Sequence, residues 1–248
     1  MAAEDSSGGL SSAFTDLMTS LAVIFILLSV ALVNNKQQEL RVKQEEIDAA
    51  KSKLLQSQQA TKDTRLEILA KLREELAMVA ERGVEVREDE KDPLGLLVVI
   101  PEGLLQFRVD RWDIPPAGQD FLGTFIPRLA RGACAFREDL SSIVVEGHAD
   151  STGTDEHNLK LSQDRSLEVV RQSLSALENG NGTVDTRGCF LDLLSASGRG
   201  NRDPFLVNGF EDRDRSRRVI FKIRVRSFEQ RERQLFLDND AEVTPGAT

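Results

Sequence analysis

The sequence is poor in the residues on which several common classes of site depend. It has two cysteines, Cys134 and Cys189, among 248 residues. These are too few for a disulfide scaffold and lack the CxxC spacing of a structural zinc site. Positive charge is not in excess either, since 32 Lys and Arg stand against 41 Asp and Glu and the net charge is -9. Because neutralising phosphates needs a basic surface, this balance excludes a general nucleic-acid binder.

Motifs of covalent and cofactor chemistry are also missing. The two glycines that flank Arg199 have neither the GK[ST] ending of a phosphate-binding loop nor the GxGxxG pattern of a dinucleotide site. Neither cysteine has neighbours that would activate it as a nucleophile. His148, Asp150 and His157 are conceivable metal ligands, but a histidine at a strand end followed by an aspartate is more typical of a structural role. We therefore predict a protein that is not an enzyme and holds no cofactor and no metal.

Charged side chains are absent from residues 17–35, where most positions are Leu, Ile, Val, Ala or Phe. As a helix this run would span roughly 28 Å, close to the thickness of a bilayer hydrocarbon core. A cleaved signal peptide is the alternative, but residues 1–16 contain no Lys or Arg, and no small-residue cleavage pattern ends the run. The pattern favours an uncleaved transmembrane helix at 17–35 that follows a short tail at 1–16.

The segment 36–83 contains no Pro, and its only Gly is its last residue. This predicts one long helix with a glycine stop. Apolar residues recur along it at spacings that form a seam: Leu40, Ile47, Leu54, Leu69, Leu72, Leu76 and Val79. A parallel dimer stalk is the favoured interpretation of this seam, and a helix that packs on its own domain is the alternative.

From residue 84 the pattern changes to short strand-like runs and amphipathic helices, so a separate domain is predicted at 84–227. The predicted elements are a hairpin at 96–100 and 104–109, strands at 142–146, 191–196 and 217–225, and a helix at 158–177. Alternating strands and helices predict an α+β fold, an α/β sandwich in this domain. The polar, acidic tail at 228–248 is predicted to be flexible.

Asp16 stands at the start of the apolar run, where a carboxylate is costly unless it is hydrated, paired or protonated. Thr19 and Ser20 follow at three and four residues, so hydroxyls flank the carboxyl along one stripe of the helix. Such a stripe suits a hydrated ion path against a partner subunit. The alternative is that Asp16 is an interfacial N-terminal cap.

The stretch FTDLMTSLAVIF at 14–25 resembles the transmembrane segment of the MotB family of stator subunits. In that family an aspartate just inside the helix binds the translocated ion. The resemblance implies that Asp16 translocates the ion and that Thr19 and Ser20 line its path. It also implies a dimer of this chain inside a pentamer of MotA-like channel subunits, driven by H⁺, with Na⁺ as the open alternative.

Four short motifs follow one another in the C-terminal half: GHADSTG at 147–153, NLKLSQDR at 158–165, SGRG at 197–200 and RRV at 217–219. In this order they resemble the OmpA-like peptidoglycan-binding domain over 95–227. The resemblance implies that Asp150 and Arg165 clamp the zwitterionic diaminopimelate of the peptide stem, supported by Asn158 and Arg218.

The chain departs from the family pattern at Ala149, where Thr is usual, and at Ser216, where Asn is often found. The alternative for Asp150 and Arg165 is an internal ion pair between loop and helix.

Both cysteines, Cys134 and Cys189, fall in this domain, which the resemblance places outside the membrane. A disulfide between them is therefore favoured over two buried free thiols.

The resemblances imply a single-pass protein of the bacterial inner membrane with a cytoplasmic N-terminus and a periplasmic domain. Lys36, Arg41 and Lys43, which follow the span, would alone place the domain in the cytoplasm. Within the stator class the chain resembles ZorB, the MotB-like subunit of the Zorya anti-phage defence system, whose partner is a ZorA-like channel protein. The acidic N-terminus without Lys or Arg favours defence over a flagellar stator. A non-conducting OmpA-like wall anchor is the alternative from another class.

Overall fold

The computed structural model describes residues 7–179, 184–231 and 233. The chain divides into two compact units, one ending at Gln56 and the other starting at Ser57. The first helix, α1 (Ser7–Glu75), contributes residues to both. Among the described helices, α1 is long and apolar enough to cross a membrane, with a mean hydropathy of 2.4 over its apolar window.

Helix α1 begins earlier than the charge pattern suggested. Because it starts at Ser7, Asp16 lies well inside it and not at its N-terminus. The interpretation of Asp16 as an N-terminal cap is therefore wrong, since a cap residue precedes the first helical turn. The described part of the tail predicted at 1–16 is helical.

The second unit follows the order of an α+β fold, which confirms the predicted fold class. Its elements after α1 are α2 (Ala77–Ala80), β1 (Glu85–Glu88), β2 (Gly95–Pro101), α3 (Glu102–Leu105), α4 (Pro116–Cys134), β3 (Leu140–His148), α5 (Asp155–Asn179), α6 (Val184–Leu193), β4 (Leu194–Gly200), β5 (Leu206–Val207), β6 (Phe210–Glu211), α7 (Arg213–Ser216) and β7 (Arg218–Val225).

Five strands form one mixed sheet in the order β1-β2-β7-β3-β4. Strands β3 and β4 are parallel, and the other pairs are antiparallel. Strands β5 and β6 form a separate hairpin. The crossover from β3 to β4 passes through α5 and α6, as parallel strands require.

One face of the sheet carries the core. Alternate residues of β2, such as Val98 and Ile100, are fully buried in one apolar cluster with Phe121 and Phe125 of α4 and Val169 of α5. Strand residues point alternately to the two faces, so the intervening side chains of β2 lie on the face opposite these helices.

The C-terminal part of α1 belongs to this core, which corrects the stalk interpretation for that segment. Ile68, Leu69, Leu72 and Leu76 are buried in the same cluster, and so is Val79 of α2. These side chains are unavailable to a partner helix. The remaining seam residues are exposed on the first unit: Leu40, Ile47 and Leu54.

The predicted hairpin is wrong in its second half. After β2 the chain forms the single helical turn α3, which ends at Gln106 in the left-handed conformation (φ 54°). Leu105 is buried in the core, and β2 pairs instead with β1 and β7. The strand predicted at 191–196 is also partly helix, since α6 continues to Leu193.

A disulfide joins Cys134 at the end of α4 to Cys189 in α6, with their Cα atoms 6.2 Å apart. This separation lies within the usual range for a disulfide. The bridge ties together two helices that are separated by β3 and α5 in sequence.

Most of the tail predicted at 228–248 lies outside the described residues. Its described start at 228–231 is helical, and Arg231 bonds to Asp139 at 2.9 Å. The side chain of Arg231 also donates to the hydroxyl of Thr64 of α1 at 3.2 Å.

Helix α5 approaches β3 so closely that only glycine fits at the contact. A Cβ on Gly147 would lie 2.2 Å from the carbonyl oxygen of Ser162, whereas a Cβ on Gly123 of α4 would meet no atom within 4 Å. We expect Gly147→Ala to destabilise the domain by about 3 kcal/mol, because two backbones must separate. Gly123→Ala should stabilise it by about 0.5–1 kcal/mol through helix propensity. Urea unfolding of both variants tests this, and equal effects of one sign would contradict it.

Candidate functional site

Three charged residues meet at one end of the sheet because of its topology. Pro101 at the end of β2 and His148 at the end of β3 both lie opposite Arg218, the first residue of β7. The residues just beyond these positions are Glu102, Asp150 and Arg217. The antiparallel register therefore brings two acids and one base together from distant parts of the sequence.

Asp150 lies in a short loop whose shape is fixed by Asn158. The Asp150 carboxylate accepts a hydrogen bond from the Thr152 backbone N–H at 2.9 Å. Asn158, at the start of α5, donates to the carbonyl oxygens of Asp150 at 3.2 Å and Thr152 at 2.9 Å. Gly153 supplies the left-handed turn with φ +90°. The buried Asn158 thus holds the loop in place.

Arg165 on α5 is buried, and its guanidinium donates in three directions. It pairs with Glu102 at 2.8 Å and donates to the backbone carbonyls of Arg111 at 3.0 Å and Arg108 at 3.3 Å. It also lies over the ring of Phe107, 4.8 Å from the ring centre. These contacts fix the plane of the guanidinium at the sheet end.

Asp150 and Arg165 are linked through an intervening pair. Arg217 bonds to Asp150 at 2.6 Å and to Glu102 at 2.6 Å, and Glu102 in turn binds Arg165. The four side chains Asp150, Arg217, Glu102 and Arg165 form an alternating row of charges, which we call the charge row. The alternative of a direct pair between Asp150 and Arg165 is wrong, because each binds an inner member of the row.

The charge row keeps the Asp150 carboxylate ionised. Burial would raise the pKa of Asp150, but hydrogen bonds from the Thr152 N–H and from Arg217 outweigh burial and hold its pKa below the usual value. The hydrogen bond with Asp150 raises the pKa of Arg217. Burial lowers the pKa of Arg165, against the opposing effect of Glu102. Since arginine remains protonated in proteins, the site presents one fixed anion and one fixed cation at its ends.

Sequence reasoning identified the ends of the charge row but missed its middle. Glu102 lay in a stretch interpreted as a hairpin turn. Arg217 stands in the RRV motif, of which the sequence predicts the adjacent Arg218 as the supporting residue. The structure places the guanidinium of Arg218 on the backbone carbonyls of Ser216 at 3.0 Å and Asp203 at 2.9 Å.

The other candidate residues lie on α1. Asp16, Thr19 and Ser20 are exposed, and Thr19 is one turn beyond Asp16. The Thr19 hydroxyl donates to the carbonyl oxygens of Thr15 at 2.8 Å and Asp16 at 3.0 Å. The helix therefore presents a carboxylate and hydroxyl groups at the start of its apolar run.

The two histidines, which the sequence offered as conceivable metal ligands, contact different carboxylates. His148 is buried, with its Nε2 atom 3.6 Å from Glu146, and burial lowers its pKa. His157 pairs with Asp110 at 2.6 Å. Within residues 7–179 and 184–231 and at 233, no group of three or more His, Cys, Asp or Glu residues is arranged to hold a metal ion.

The segment that contains most of the charge row matches a known family model. Residues 106–218 match the model of the OmpA family. The segment is therefore similar to the OmpA family, and we call it the OmpA-like domain. The OmpA-like match spans Asp150, Asn158, Arg165 and both arginines of the RRV motif, while Glu102 lies just before it. Such domains are non-enzymatic, which confirms the prediction that the chain is not an enzyme.

Several solved structures are similar to the part of the chain that contains this OmpA-like domain. A MotB-like protein from Desulfovibrio vulgaris is 23% identical, with a TM-score of 0.50 over 68% of this chain and 99% of that one. The cell wall anchor of the T6SS from Pseudomonas aeruginosa is 24% identical (TM-score 0.43, 62% and 97% covered). The periplasmic domain of Helicobacter pylori MotB is 19% identical (TM-score 0.43, 62% and 90% covered). No curated protein matches the chain.

Proposed function

We propose that the chain is a membrane-anchored subunit that binds peptidoglycan through its OmpA-like domain. The observation that carries the proposal is the fixed separation of opposite charges on Asp150 and Arg165 at one sheet end. A zwitterionic amino acid such as diaminopimelate needs one anionic and one cationic partner at a set spacing. The OmpA-like match over these residues supports the same ligand.

Binding by this site requires an exchange of partners. The guanidinium of Arg217 occupies the carboxylate of Asp150, and the carboxylate of Glu102 occupies the guanidinium of Arg165. The ammonium and carboxylate of diaminopimelate carry the same charges as these two inner groups and can take their places. Arg217 and Glu102 remain paired with each other at 2.6 Å, so neither loses its only partner.

A sedimentation experiment tests wall binding. The full chain in detergent should pellet with purified diaminopimelate-containing sacculi and should lose most of that binding when the free carboxylate of diaminopimelate is amidated. The reason is that the amide removes the anion that Arg165 recognises. Equal pelleting with amidated and unmodified sacculi would contradict the proposed clamp.

The proposed location follows from three features. The apolar window of α1 is the membrane anchor, with the N-terminus in the cytoplasm and the OmpA-like domain in the periplasm. The disulfide between Cys134 and Cys189 supports this location, because disulfides persist in oxidising compartments such as the periplasm.

We further propose that the anchored subunit is part of an ion-driven motor. Asp16 would take up and release the ion, H⁺ or Na⁺, with Thr19 and Ser20 beside it. The partners are a second copy of the chain and a pentamer of MotA-like channel subunits, and wall binding holds the dimer fixed. The support is the carboxylate inside α1 and the likeness of residues 14–25 to stator helices.

The acidic composition of residues 1–16 supports the finer assignment to anti-phage defence of the Zorya type, with a ZorA-like partner. Residues 1–16 contain Glu4, Asp5 and Asp16 but no Lys or Arg. The corresponding test is a protection assay in cells, which is designed together with the Asp16 variant in the Discussion.

A further inference from the structure

A second site candidate lies beside the charge row. A pocket of about 450 Å³ opens on the sheet face opposite the core helices, where Val99 and Pro101 of β2 form part of its wall. Glu102 and Arg217, the inner pair of the charge row, also line it. The pocket is therefore continuous with the site proposed for diaminopimelate. Its volume lies in the range of pockets that bind small ligands.

The charge of this pocket is opposite to that of the protein. Its lining contains four arginines, at positions 87, 215, 217 and 218, and three carboxylates, those of Glu85, Glu102 and Asp214. The chain as a whole has a net charge of -9. A concave site with a positive balance on a negative protein concentrates anionic ligands.

Two of these arginines make only long contacts with the carboxylate of Glu85. Arg87 and Arg215 both approach Glu85, at 4.0 Å and 3.6 Å, whereas Arg217 binds Glu102 at 2.6 Å. Arg87 is 42% exposed and Arg215 is 50% exposed. A ligand carboxylate could therefore bind either guanidinium at shorter distances than Glu85 does, at little cost in broken contacts.

Aromatic rings shape the pocket for a flat group. Phe107 and Phe205 line it, and the guanidinium of Arg215 stacks on the Phe205 ring at 3.7 Å from the ring centre. Stacking on a ring uses the face of the guanidinium and leaves its N–H edge available for hydrogen bonds. This orientation suits two-pronged binding of a carboxylate.

We propose that this pocket binds a second free carboxylate of the same peptide stem, through Arg87 and Arg215, while the charge row binds diaminopimelate. The inference rests on the proposed wall binding and adds a subsite to it. The ligand class is a short peptide with at least one free carboxylate in addition to that of its diaminopimelate residue. The pocket would then select stems in which that carboxylate is free over stems in which it is amidated.

The test is a titration of the full chain with two soluble muropeptides. Both carry a tetrapeptide stem with unmodified diaminopimelate, and in one of them the other carboxylates are amidated. The double variant Arg87→Gln with Arg215→Gln should bind the free-carboxylate muropeptide about tenfold more weakly than wild type, the size expected for losing a charged hydrogen-bond partner. Its affinity for the amidated muropeptide should stay unchanged.

The control is Arg137→Gln. Arg137 is 51% exposed and pairs with Asp192 at 3.2 Å outside the pocket, so its loss should change neither affinity. Equal weakening of both muropeptides in the double variant, or no weakening of either, would overturn the second subsite and leave the clamp intact. Failure of wild type to bind both muropeptides would instead overturn the proposed wall binding and the subsite with it.

Discussion

Replacing Asp150 by Asn should lower the affinity of the domain for diaminopimelate-containing stems by about a hundredfold, since removing the charged partner of a partly desolvated ammonium costs about 3 kcal/mol. Asn keeps the size of the side chain and its acceptor for the Thr152 N–H, so the loop should persist. What disappears is the fixed negative charge at one end of the charge row.

Asp89 provides a matched control for this substitution. Its carboxylate accepts a hydrogen bond from the backbone N–H of Lys91 at 2.9 Å and pairs with Lys222 at 2.7 Å. Asp150 has the same two kinds of contact, and the two side chains are 8% and 11% exposed. Asp89→Asn should lower stability to a similar degree as Asp150→Asn and leave stem binding unchanged. Loss of binding in both variants would mean that binding tracks stability and not the charge of Asp150.

The pH dependence of stability checks the same carboxylate independently of the ligand. Because the pKa of Asp150 is below its usual value, its ionised form stabilises the folded state. That contribution is fully present above the unfolded-state pKa of about 3.9 and is lost as the pH falls through the lower folded-state pKa. The stability difference between wild type and Asp150→Asn, from urea unfolding, should therefore be constant near neutral pH and shrink on acidification.

The ends of the charge row could be predicted from sequence, but its centre could not. Asp150 and Arg165 stand in short motifs whose residue order alone indicates an OmpA-like binding site. Glu102 and Arg217 are 115 residues apart and meet only because β2 and β7 pair in one particular register. Register is specified by which face of each strand is buried. For two strands so far apart in sequence, no connecting turn reveals the pairing.

The surface on which the apolar seam packs could not be predicted from the sequence either. Helical spacing shows that Leu72 and Leu76 share one face, but a heptad seam and a face that packs on a domain have the same period. The structure buries both leucines in the core of the OmpA-like domain. The single turn α3 was missed because Pro, Glu and Gly also suit a turn, and the burial of Leu105 that favours the helix is a tertiary effect.

If the chain has the proposed defence role, replacing Asp16 by Asn should abolish protection against phage in cells that express the chain with its ZorA-like partner. Asp16 lies inside α1 at the start of the apolar run, where its charge is not needed to cap the helix. Asn should therefore be tolerated in the helix equally well. Asn preserves the size of the side chain and removes the group that can bind and release a proton. If the motor runs on ion transfer through Asp16, the loss should be complete and should not be a partial weakening.

The measurement is plating efficiency with membrane levels of the variant matched to wild type. Asp48→Asn is the control, because Asp48 is an exposed carboxylate of the same helix beyond the apolar run, where it accepts a hydrogen bond from Gln44 at 3.1 Å. The control should protect as well as wild type. Full protection by Asp16→Asn would refute the ion-driven mechanism and favour a non-conducting wall anchor. Absence of protection even with wild type would refute the defence role, and a motility assay with the same two variants would then test a flagellar stator.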